Sequence, residues 1–206
     1  MNNYDVIVVG GGPAGVMTAY ELTLKKPGMK ILVLESGKDI YHRVCPISAG
    51  KVKSCIGCKP CSIMRGFGGA GAFSDGKYNF TTKFGGWLNE YLDDATVMEL
   101  IHYVDDINMK HGAPVKVFTT KGSDIGKRAL DHDLHLLDAS VRHLGTENNL
   151  RMLESTYEYL KEKVEFRFEC PVAHIESNGK GDNAVELASG EKLAAKYLVV
   201  APGRAG

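Results

Sequence analysis

The sequence predicts an α/β fold with a parallel sheet, a β-meander and an inserted helical region. Three observations predict it. A short apolar run, Tyr4–Val9, stops abruptly at glycine. A helical stretch and a second apolar run, Lys30–Leu34, follow at the spacing of a β-α-β unit. The C-terminal 45 residues are rich in strand formers broken by glycine turns.

Tyr4–Val9 (YDVIVV) reads as a buried parallel strand. The segment Pro13 to about Lys25 reads as a helix, with proline at its first turn and Pro27-Gly28 closing it. KILVL at 30–34 is the second strand, and a right-handed crossover is expected. Residues 36–85 look irregular and are rich in Gly, Cys, Ser and Lys; so long a loop in a domain of this size tends to bind something. Helical periodicity returns over Gly86 to about His111, over roughly Asp124–Leu144, and over Thr146–Lys161, giving a helical insertion at 86–161. Its apolar stripes are read as core packing. Val164–Phe168 is a strand. Val172–Glu176, Ala184–Ala188 and Glu191–Ala194 form an antiparallel meander with turns at Gly179–Asn183 and Ser189-Gly190. Tyr197–Ala201 is a last buried strand, ending at Pro202-Gly203.

Charge narrows the function. With 25 basic and 25 acidic residues, the chain lacks the electrostatic footprint that nucleic acid or an anionic membrane would need. A small-molecule partner is the better expectation. No leader peptide and no long apolar span is visible, so a soluble, cytoplasmic protein is expected; oligomeric state is not legible. The 24 glycines cluster at 10–15, 66–76 and 85–86, as where backbone approaches a ligand.

Gly10-Gly11-Gly12-Pro13-Ala14-Gly15 fits G-x-G-x-x-G between a strand and a helix, the dinucleotide fingerprint of a Rossmann-like domain. Gly10 permits the tight turn, Gly12 lets backbone reach a diphosphate, and Gly15 lets helix and strand pack closely. Free amides and the helix dipole meet the phosphate charge. Glu35 follows 20 residues after Gly15, where a carboxylate accepts ribose hydroxyls and repels a 2′-phosphate, which argues against NADP in this site. Ser36 continues that edge.

These residues resemble the FAD-dependent oxidoreductases of the glutathione-reductase type. The resemblance covers Tyr4–Glu35 and returns at Lys196–Gly203. It implies FAD rather than NAD, with Val172-Ala173-His174-Ile175 matching a V-x-x-I strand that touches adenine through its backbone. Ala201-Pro202-Gly203 stands where that family has Ala-Thr-Gly. Gly66–Lys77 (GFGGAGAFSDGK) is similar to a second glycine loop of bacterial FAD-dependent dehydrogenases. That likeness implies that Arg65, Gly68 and Gly69 approach the diphosphate or ribityl chain and that Ser74 to Lys77 lie near the flavin ring. There Lys77 could steady reduced flavin as a catalytic charge. Against it stands a solvated surface lysine, and Asp75 reads equally well as a turn former.

Cys45, Cys55, Cys58 and Cys61 fall within seventeen residues, the last three as C-x-x-C-x-x-C. Such density suits a metal or redox chemistry: a [4Fe-4S] cluster, a zinc site, a dithiol that exchanges with flavin, or no ligand at all. Cys170, which opens a meander strand, reads as core. The seven histidines, with His102, His111, His132, His135 and His143 on expected helices, show no catalytic spacing.

The sequence therefore points to a flavin-dependent oxidoreductase. It would pass electrons between a small-molecule substrate and an acceptor, with NAD(P)H among the candidates. The resemblance further implies a closing C-terminal segment beyond Gly206, so that 1–206 is expected to be the N-terminal part of a longer enzyme. A dinucleotide- or metal-binding module acting with a partner chain is the alternative.

Overall fold

The computed structural model describes residues 3–179 and 183–205. Strand β1 (Asn3–Val9) leads into helix α1 (Pro13–Lys25) and strand β2 (Ile31–Leu34), as the β-α-β reading requires. Then come β3 (Lys77–Phe80), α2 (Asp94–Lys110), β4 (Phe118–Thr119), α3 (Ile125–Leu130), β5 (Ser140–His143) and α4 (Thr146–Lys161). Strands β6 (Glu165–Arg167), β7 (Val172–Ser177), β8 (Asn183–Leu187) and β9 (Lys192–Val200) complete the order. The chain divides into two compact units, 1–73 with 153–206, and 74–152.

The first unit is built on a six-stranded sheet in the order β6-β2-β1-β9-β8-β7. Its first four strands run parallel, while β8 and β7 turn back antiparallel as the meander. Strands β1 and β2 bury both faces, which is why they read as continuous apolar runs rather than alternating ones. Ile7, Val9, Leu32 and Leu34 face a core completed by Val185, Leu187 and Leu193. On the opposite face Val8 meets α1 at Gly15, close enough that a methyl there would come within 3.2 Å of the valine. Phe67, fully buried, packs edge-on against Tyr157 of α4 and Phe166 of β6, anchoring the second glycine loop to this core.

One strand is longer than expected. Glu191–Ala194 and Tyr197–Ala201 are a single strand, β9, because Ala195 pairs with Asn183 on one side and Tyr4 on the other, leaving no break for a turn. Nor is its second half buried: Tyr197 is 60% and Val200 56% exposed. Residues 180–182 of the expected turn lie outside the described residues.

The second unit departs most from expectation. Besides its helices it holds a small antiparallel sheet, β3-β5-β4, beside α2. No single helix spans Gly86–His111. A short 3-10 turn, Leu88–Glu90, comes first, and α2 starts only where Asp93 caps the Thr96 amide. Trp87 and Tyr91, expected on a packed stripe, are among the most exposed apolar side chains. The helix expected over Asp124–Leu144 ends at Leu130, and Asp133 takes a left-handed φ of 57°, which a continuing helix does not accept. Ser140–His143 instead pairs with β3, so His143 lies on a strand. Arg142 on that strand forms a buried ion pair with Asp105 of α2, at 2.6 and 2.7 Å, and also donates to the Pro114 carbonyl.

Candidate nucleotide-binding site

The end of β1, the start of α1 and the end of β9 converge in the first unit around Gly10. Its amide donates to the Leu34 carbonyl at 2.7 Å, and the Ala201 amide donates to Val9 at 2.8 Å. Gly10 has φ of +109°, and a Cβ there would sit 2.2 Å from the Ala201 carbonyl oxygen. Only glycine fits this crossing. Gly15 is fixed by proximity instead: its Cβ would fall 1.9 Å from the Gly10 carbonyl oxygen. Gly12, the residue that caps α1, differs from both. A Cβ at Gly12 would meet nothing nearer than the Gly69 Cα at 3.9 Å. The protein itself leaves that space open.

The open space belongs to a groove of about 550 Å³, within the range of small-molecule and cofactor sites. Gly10, Gly12, Pro13 and Ala14 line it from the first glycine loop, and Glu35 and Ser36 from the end of β2. Arg65 and Gly69 contribute from the second loop, Val172 from the meander, and Ala201 and Gly203 from the end of β9. Eleven of the fourteen residues expected to hold the cofactor thus lie on one surface. Gly15 lies beneath it. Gly68 faces the Leu153 side chain, at 3.0 Å from a notional Cβ, and gives its amide to the Gly11 carbonyl. Ser74 lies in the second unit, where its hydroxyl accepts the Gly76 amide.

Glu35 carries more structure than the sequence suggests. Its carboxylate is buried, and Oε2 accepts the Gly11 amide at 2.7 Å. Oε1 accepts the amides of Gly37 at 2.7 Å and Gly66 at 3.0 Å, and the Ser36 hydroxyl at 3.2 Å. One side chain therefore ties the two glycine loops to the end of β2. Oε1 is saturated, whereas Oε2 keeps acceptor capacity beside the groove.

Sequence reading missed several lining groups. Met64, Ala70, Gly71, Cys170, Pro171, Pro202 and Arg204 all face the groove. Arg204 and Arg65 are its cationic side chains. Cys170, read as core, does pack against the core, yet it also reaches this surface; burial raises its thiol pKa. Nothing in local sequence marks Arg43, which is 3% exposed and holds the second loop from behind.

The four clustered cysteines are not gathered. All are free thiols, and among the described residues no three Cys, His, Asp or Glu side chains are placed to hold a metal ion. As placed they do not fit a cluster or a zinc ion. Cys45 is distinctive in one respect: the Ser48 and Ile47 amides hold its thiol below the ordinary value. Lys77 in the second unit pairs with Asp75 at 2.8 Å, which also draws the Asp75 carboxyl below its usual range. Its role toward flavin rests on the sequence resemblance. No helix among the described residues is long and apolar enough to cross a membrane.

Known proteins match this arrangement. Residues 5–44 match the family model described as lycopene cyclase protein. A protein of Clostridium beijerinckii described as uncharacterized is 30% identical over 159 residues, covering 77% of this chain and 27% of its own length. The digeranylgeranylglycerophospholipid reductase of Methanococcus vannielii is 28% identical over 217 aligned residues, covering 97% of this chain and 53% of that protein. The chain thus spans about a quarter of one relative and about half of the other. In a solved structure of a NikD mutant, described as an unusual amino acid oxidase essential for nikkomycin biosynthesis, 98% of this chain superposes on 52% of that one. The TM-score is 0.51 at 15% identity, a likeness of fold. A glycine crossing that only backbone can fill, a carboxylate tying two loops, and these likenesses agree: the chain has a Rossmann-type dinucleotide-binding fold and is similar to FAD-dependent oxidoreductases.

Proposed function

We propose that the groove binds the ADP portion of FAD and that the chain is the cofactor-holding part of an oxidoreductase. The observation that carries this reading is the open position at Gly12, a place where the fold accepts a side chain but the groove would not. The diphosphate lies against Gly12 and the first turn of α1, where unpaired amides and the helix dipole favour negative charge. Arg65 and Arg204 add positive charge to the same wall. Glu35 Oε2 accepts a ribose hydroxyl and disfavours a 2′-phosphate. Val172 and Pro171 offer an apolar edge to adenine. When bound, the flavin accepts and passes on hydride or single electrons; the protein binds and orients it and excludes water. The names of the relatives, a reductase and an amino acid oxidase, support electron transfer to or from an organic substrate. NAD(P)H is one candidate donor.

Titrating FAD into the purified chain, followed by flavin absorbance and calorimetry, tests this. Saturable binding that Gly12→Val abolishes is expected. A colourless chain with no affinity for FAD or ADP would sink this reading, and one that also carries zinc would favour a metal-binding module.

A second reading rests on Cys45 and the spacing of Cys55, Cys58 and Cys61: the loop closes around iron or zinc when the metal is supplied. Metal analysis and thiol titration of protein purified without oxygen decide it. Less than one metal per chain with five titratable thiols rejects it.

A further inference from the structure

Behind the groove, Arg43 is a buried cation with neutral partners. Nε donates to the Ser62 carbonyl at 3.0 Å and Nη2 to Ile63 at 2.8 Å. Nη1 donates to Phe67 at 2.6 Å and to Gly69 at 2.8 Å. The Phe73 ring lies 4.9 Å from the guanidinium carbon. A buried charge held only by carbonyls is costly unless an anion offsets it. The nearby Glu35 carboxylate offsets part of that charge at a distance, while its oxygens accept three amides and a hydroxyl and none of the guanidinium N–H groups. Burial pushes the guanidinium down to about 10, which leaves it charged at neutral pH.

The carbonyl contacts also fix peptide planes. In a trans peptide the carbonyl and the following N–H point opposite ways. With the Phe67 carbonyl on Arg43, the Gly68 amide points away and donates to Gly11 at 2.8 Å. The Gly69–Ala70 plane is held in the same manner, which directs the Ala70 amide away from the guanidinium, and Ala70 lines the groove.

We propose that Arg43 is a positioning residue for diphosphate recognition: it orients the Gly69–Ala70 peptide toward the groove and lends that wall positive charge. The inference rests on the groove being the cofactor site and names which part of the ligand it serves. Arg43 acts on the diphosphate and leaves the nucleoside alone.

Calorimetric titration of ADP and of adenosine into the wild-type chain and into Arg43→Gln tests this. The variant should lose ADP affinity by ~10-fold or more, while adenosine affinity stays within ~2-fold. Arg43→Lys keeps the charge but cannot hold the Ser62 and Ile63 carbonyls along with those of Phe67 and Gly69, so it falls between. If Arg43→Gln is unfolded at the assay temperature, Arg43→Lys alone carries the comparison and must still narrow the ADP preference. Equal losses for both ligands, or an unchanged ADP affinity, overturn the role of Arg43 while leaving the cofactor site standing. A wild-type chain that ignores ADP sinks both.

Discussion

Three fingerprint glycines that look alike in sequence do different work. Gly15 touches backbone at 1.9 Å from a notional Cβ, whereas Gly12 has open space to 3.9 Å. Gly15→Ala should therefore destabilise the chain by about 3 kcal/mol or more in urea melts. Gly12→Val should melt near the wild type and yet lose the cofactor. The reverse pattern would mean that Gly12 serves folding and not a ligand. Glu35→Gln replaces an acceptor with an NH₂ facing a backbone amide, at a cost of about 3 kcal/mol even without ligand. A melt unchanged from wild type would contradict the bracket role. Cysteines divide by environment as well. Amides lower the Cys45 thiol below 9.0 and burial raises Cys170 above it, so at about pH 8 iodoacetamide should modify Cys45 first. Peptide mapping with FAD present should then show Cys170, and not Cys45, protected.

Among the elements, those fixed by local chemistry were legible and those fixed by long-range pairing were not. Helix α1 begins at Pro13 and ends at Lys25 as read, since proline and the Pro27-Gly28 pair mark its limits. Helix α4 also matches at Thr146 and Lys161. The span 124–144 misled because Leu130, Leu134 and Leu137 imitate helical spacing, while the Ser140–His143 stretch is claimed by pairing with β3 and by the Arg142–Asp105 ion pair. Partners 37 residues apart leave no mark in a local window. Helix α2 has a clear start signal that the apolar stripe obscured. Thr96 lowers the Asp93 carboxyl, first through its amide and then through its hydroxyl. A depressed carboxylate stabilises the fold above its unfolded value of 3.8, and that gain is lost as pH falls through the folded value. Thermal melts from about pH 6 to about pH 2 should therefore show Asp93→Ala converging on the wild type at the acid end. A constant gap would mean that the cap is not titrating.

For the whole molecule, composition and fingerprint sufficed to place the chain in its class, and most of the groove could be named from sequence because its residues sit at the ends of recognisable strands. What stayed hidden were the residue that holds the second loop from behind, Arg43, and the small antiparallel sheet that accompanies the helices of the second unit. Cofactor binding should register on the entire fold. At FAD near 100 times its dissociation constant, linkage adds about 2.7 kcal/mol. For a chain of this size that raises the melting temperature by roughly 5–10 °C. A melt indifferent to FAD would remove the groove from the argument.

Strand β9 carries a consequence for how such a protein can vary. Its nine residues are indexed against β8 along one edge and β1 along the other, so meander and glycine crossing share one ruler. An extra residue after Ala195 would push Pro202-Gly203 about 3.3 Å past Gly10 and turn every later side chain to the wrong face. The count of residues in this strand is therefore not free to change.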